Sequence, residues 1–176
     1  IGKHKTAFEQ DNFDHPYDAD ELHTWAQWGT MGGKRLIHGD ADTPEMAKIM
    51  REKLPATFEV ESGRRKLPQF VWSTDTDEVA TQYLRLPGSD DRVGEIRGTG
   101  AYVCTVGTEL DYYDETGTHV IGEYKILHDR PIAYIPYAKF QEIMKLYLIT
   151  GPSAKLTFDK ITKGAPKGER HHTAVQ

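Results

Sequence analysis

Residues 70–84 read FVWSTDTDEVATQYL, and the way this stretch divides into elements sets the class of the whole chain. Phe70, Val71 and Trp72 are residue types that favour a pleated, half-buried backbone, so they predict a strand. The strand runs into Ser73 and Thr74. Asp75 and Glu78 then have the spacing of a capping box, and Val79, Ala80, Tyr83 and Leu84 recur at helical intervals, which predicts a helix directly after the strand. A hydroxyl pair at such a junction has two uses. It can cap the backbone, or it can hold something in a cleft beside the strand end.

Upstream, RLIHG (35–39) predicts a short apolar strand, and DTPEMAKIMREKLP (42–55) a helix with Thr43 as cap and Pro44 at its first position. DADELHTWAQWG (18–29) predicts another short helix, and TMGGKR (30–35) a loop. Residues 56–68 read as loop or weak strand with a basic run at Arg64, Arg65 and Lys66, and residues 87–100 as a polar loop. Downstream, GAYVCTVG, HVIGEYKILHD and PIAYIPY predict strands, DETGT a hairpin turn, and AKFQEIMKLYLI a closing helix. The early part is richer in helix and the later part in strand, so the expected class is α+β. The expected organisation is an irregular and helical segment at 1–33, one domain at 34–162, and a flexible tail from Lys163 to Gln176 rich in Gly, Pro, Lys and His.

Composition narrows the function classes. The chain has 176 residues with 28% charged residues and a formal net charge of −5. That balance argues against nucleic acid or an anionic membrane as a tightly held partner. The single cysteine, Cys104, excludes an intramolecular disulfide and a multi-cysteine zinc site. The eight histidines form no HExxH pair, so no metal is expected. No apolar run reaches spanning length. TMGGKR and GTGAYV contain glycines but match neither a P-loop nor a dinucleotide fingerprint. The start at Ile1, without a leader pattern, suits a processed or excised piece of a larger chain, and secretion or delivery into a target cell is an expectation consistent with that.

Three segments taken together resemble the ADP-ribosyltransferase superfamily: RLIHGD (35–40), FVWSTDTDEVATQYL (70–84) and GEYKILHDRPIAYI (122–135). The second is similar to the strand–Ser–Thr–Ser element of that superfamily. GTGAYVCTVGT looks like the following central strand of the cholera- and pertussis-like toxins. EYKILHDRPIAYI looks like their catalytic-glutamate strand, and the pair Glu123-Tyr124 also occurs in diphtheria toxin and the poly(ADP-ribose) polymerases. The resemblance covers residues 34–137. It implies a split β-sandwich that binds NAD as substrate, with nicotinamide released and ADP-ribose passed to a macromolecular acceptor such as a protein. Glu123 would be the catalytic carboxylate, Ser73 would position it, and Ser73, Thr74 and Trp72 would border the NAD site. The first motif leaves two choices. Arg35 fits the toxin-like branch, and His38 followed by Gly39 fits the diphtheria-like branch. Ile121 stands where arginine-modifying members carry Glu or Gln, which argues against arginine as the acceptor.

Chemistry supplies reasons for the same residue types. Breaking the nicotinamide–ribose bond develops positive charge on the ribose, as in glycoside hydrolysis, and a carboxylate such as Glu123 stabilises it. A neighbouring hydroxyl can hold that carboxylate, and His or Arg can bond a ribose hydroxyl or the pyrophosphate. Trp72, Tyr83 and Tyr124 are candidate stacking partners for nicotinamide. Two further readings share the scaffold: an NAD glycohydrolase, in which water is the acceptor, and a non-catalytic module that binds a partner protein.

Overall fold

The computed structural model describes residues 29–113 and 116–149. The expected helix at 18–28 and the tail from Lys163 lie outside them. The described residues form an α+β fold, mostly sheet, with two helices and no closed barrel. In chain order the elements are β1 Gly29–Met31, β2 Leu36–Ala41, α1 Pro44–Lys53, β3 Phe58–Glu61, β4 Pro68–Ser73, β5 Gln82–Arg85, β6 Arg92–Arg97, β7 Tyr102–Cys104, β8 Glu109–Tyr113, β9 His119–Glu123, β10 Lys125–His128, β11 Ala133–Tyr134 and α2 Tyr137–Met144.

The main sheet runs β10-β3-β4-β2-β6-β5, with β11 lying parallel to the end of β4. Both helices cover one of its faces. Ile37 from β2, Phe70 and Trp72 from β4, Met46 and Met50 from α1, and Phe140 and Met144 from α2 build that core. Trp72 is fully buried, stacks on Phe70 at 5.4 Å and donates its indole N–H to Pro55 O at 2.9 Å. Gly39 serves this packing. A Cβ there would stand 3.0 Å from the Trp72 ring and 3.3 Å from Met50 Sδ. The absent side chain therefore lets α1 sit close. On the other face, Val60 of β3 packs with Cys104, Leu110, Val120 and Tyr124, which tie the small sheets β1-β7 and β8-β9 to the main one.

α1 forms as its sequence dictates. Pro44 opens it, and the Thr43 hydroxyl accepts from Met46 N at 3.2 Å. Both are ordinary features of a helix start. Three expectations need correction. Residues 75–84 are not a helix; 74–81 are irregular and β5 follows. Their backbone bonds go sideways, from Val79 N to Thr99 Oγ1 at 2.9 Å and from Thr99 N to Val79 O at 2.7 Å. Leu84 is buried and Tyr83 exposed, the alternation of a strand. Residues 87–100 are not a loop, because β6 occupies the sheet between β2 and β5. Its charges had marked it as solvated, but Glu95 is buried between Arg92 at 2.7 Å and Arg97 at 3.0 Å. TMGGKR is not wholly loop either, since Gly29–Met31 pairs with β7.

Candidate functional site

Strand register assigns side chains to faces, because directly opposed residues point the same way. On the face away from the helices, one row runs Ile126, Val60, Gln69, Asp40, Glu95, Tyr83. The next runs Phe58, Val71, His38, Arg97, and the third Tyr134, Ser73, Leu36. His38 and Ser73 are therefore diagonal neighbours on adjacent strands. Such neighbours lie about 7 Å apart at the backbone. They share the face against which the small sheets pack.

His38 sits in the middle of the sheet, paired through β2 to both β4 and β6. It is 3% exposed, and its Nε2 has no hydrogen-bond partner among the described residues. Burial lowers its pKa from 6.5 to about 4, so the ring is neutral at pH 7. Arg35 lies before the strand in a left-handed backbone conformation, φ 67°. Its side chain is exposed and stands 3.4 Å from Asp77. Of the two choices for the first motif, His38 joins Ser73 on the inner face and Arg35 does not. Gly39 turns toward α1 and belongs to the helix side.

Ser73 ends β4, half-buried, and its hydroxyl donates to Ala133 O at 3.4 Å, a long contact. Thr74 is buried. Its N–H bonds Arg35 O at 2.9 Å and its hydroxyl donates to the Asp75 carboxylate at 3.2 Å, so it fixes the strand end and does not line an opening. Trp72 belongs to the helix-side core, which corrects its assignment to the NAD site: its ring has no open face. Tyr124 is likewise buried. The aromatic that sequence reasoning missed is Tyr134, which stands beside Ser73 on the same face and is exposed. Its signal was weak, because PIAYIPY read only as an apolar strand.

Glu123 is not brought to this face. Its carboxylate lies 3.2 Å from Lys125 Nζ and its side chain is 47% exposed. Tyr124, between them, points the other way into the second core. Register fixes the separation from Ser73. Lys125 opposes Glu61, and Glu61 opposes Pro68 at the start of β4, while Ser73 is its last residue. Five strand residues at about 3.3 Å each put roughly 16 Å between those levels, and Glu123 lies further out. The expected contact between Ser73 and Glu123 is absent. The carboxylates that do share the face are Asp40 and Glu95, and burial pushes the Glu95 pKa up against the pull of Arg97 and Arg92.

Among the described residues no group of three or more His, Cys, Asp or Glu could hold a metal ion, and no helix is long and apolar enough to cross a membrane. No protein-family model matches this chain, and no curated protein matches it.

Proposed function

We propose that the chain is an NAD-using enzyme of ADP-ribosyltransferase type that releases nicotinamide and transfers ADP-ribose to a macromolecular acceptor, on a split β-sandwich. The observation that carries this reading is the buried His38 Nε2, without a hydrogen-bond partner among the described residues, on one face with Ser73. An imidazole nitrogen without a partner inside a protein is costly unless a ligand group answers it, and a ribose hydroxyl is such a group. Ser73 and the exposed Tyr134 ring beside it offer a hydroxyl and a stacking surface for the nicotinamide end.

The carboxylate has two sources. The resemblance points to Glu123; position on the inner face points to Asp40, two residues from His38 on the same side of β2. Glu95 is already engaged by two guanidinium groups. A second reading, a non-catalytic partner-binding module, is favoured by the separation of Glu123 from Ser73.

The deciding experiment is release of labelled nicotinamide from NAD, with and without a cell lysate, by the 176-residue chain and its variants. The expected result is NAD cleavage, lost with His38→Ala and lowered roughly a hundredfold by neutralising the working carboxylate, through either Glu123→Gln or Asp40→Asn. Label carried into acid-precipitable material separates transfer from hydrolysis. NAD bound but never cleaved leaves the partner-binding reading, and no NAD binding at all overturns the proposal.

A further inference from the structure

On the helix side of the sheet, near the β10 edge, a separate cleft of about 230 Å³ is lined by Arg51, Pro55, Glu59, Phe70, His128 and Arg130, among others. Its floor carries one buried carboxylate. Glu59 is only 2% exposed at its side chain, and its Oε2 accepts from Arg51 Nε at 3.0 Å and Nη2 at 2.7 Å. Arg130 Nη1 stands 3.7 Å from Oε1, and His128 Nε2 stands 3.9 Å from Oε2. The three basic side chains are each nearly half exposed, so they reach from the buried anion to the mouth.

Charge decides what fits. One carboxylate between two guanidinium groups leaves one positive charge unmatched, with the His128 imidazole beside them as a further hydrogen-bonding group. A phosphate monoester carries about −1.5 to −2 at neutral pH and offers three acceptor oxygens, which answers that excess. Glu59 pre-orients the Arg51 fork, whose Nη1 lies outside the Glu59 contact. Arg51 is also held over the Phe70 ring at 5.9 Å. Size sets the rest. The cleft is smaller than the roughly 300–1,000 Å³ of sites for drug-sized ligands, so a whole dinucleotide does not fit. Pro55 and Ala56 give it an exposed apolar wall that a bare inorganic ion would not use. We infer that the Arg51–Glu59–His128–Arg130 cleft binds a small phosphate monoester, at a site on the opposite face of the sheet from His38 and independent of the NAD reading.

The test is calorimetric titration of the full chain with glycerol 3-phosphate, glycerol and inorganic phosphate. The ester is expected to bind in the millimolar range or tighter, inorganic phosphate more weakly, and glycerol not at all. Arg51→Ala would strand the buried Glu59 carboxylate and threaten the fold, so Arg130→Ala is the informative variant. Its contact with Glu59 is long, so the melting temperature should hold, while affinity for the ester falls about tenfold or more. Absence of binding, or unchanged affinity in a folded Arg130→Ala protein, overturns the site. Equal affinity for inorganic phosphate overturns the monoester assignment.

Discussion

His38 gives the protein a pH signature of its own. Its imidazole stays neutral in the fold down to about pH 4, whereas in the unfolded chain it takes a proton near 6.5. Between those values the unfolded state binds more protons, so stability that is complete above pH 6.5 is lost as the pH falls toward 4. The full effect is about 3 kcal/mol. Urea unfolding at pH 7.5 and 4.5 should show this loss, and His38→Gln should remove that share of it. A variant with the wild-type pH slope would mean that His38 is not the neutral, buried ring described above. At this scale the sequence was partly legible. His38-Gly39 stood out as a pair, yet Gly39 faces α1 and His38 faces the small sheets, as the alternation of a strand requires. Glu123 stood out through a short motif, but no motif carries the register that places it at the far end of the sheet from Ser73.

At the scale of elements, Asp75 shows how a correct local signal can serve a distant partner. Its carboxylate accepts from Tyr137 N at 2.8 Å, and that bond is the first cause of its lowered pKa. Tyr137 begins α2, whose preceding residue Pro136 makes no side-chain cap. Asp75 thus caps a helix 62 residues away in place of the one its own spacing suggested. The bond answers one of the open N–H groups of that helix, and the negative charge suits its N-terminus. Asp75→Ala should lower the melting temperature and raise amide exchange in the first turn of α2, leaving β4 protected. Equal exchange throughout would remove the capping role. Helix α1 was readable because its cap, proline and apolar stripe are all local. β5 and β6 were not, because their backbone partners lie in other strands, and the charges of β6 are hidden by pairing with one another.

For the molecule as a whole, the class α+β followed from the succession of helical and strand patterns, while the order of strands rested on contacts that no window of sequence contains. The join between the two cores depends on a close backbone approach. A Cβ on Gly122 would collide with the Gly63 carbonyl, so β9 can press on the β3–β4 turn only as glycine. Gly122→Ala should cost about 1–3 kcal/mol by forcing the β8-β9 hairpin off the sheet, with loss of protection in β8 and β9 ahead of the main sheet. Uniform loss across both would mean that the layers unfold as one unit.

The helix-side core takes Ile135, Phe140, Met144, Tyr147 and Leu148 from the last described residues of the chain. Synthesis delivers those residues after the rest of this core, so while they are still within the ribosome the emerged part has Trp72 and Leu84 uncovered where Phe140 and Leu148 later pack. An eight-residue helix with a borrowed cap does not form ahead of that surface. The nascent protein is therefore left sticky until Leu148 has cleared the ribosome, and its yield in a cell should depend on holding chaperones more than its final stability would suggest.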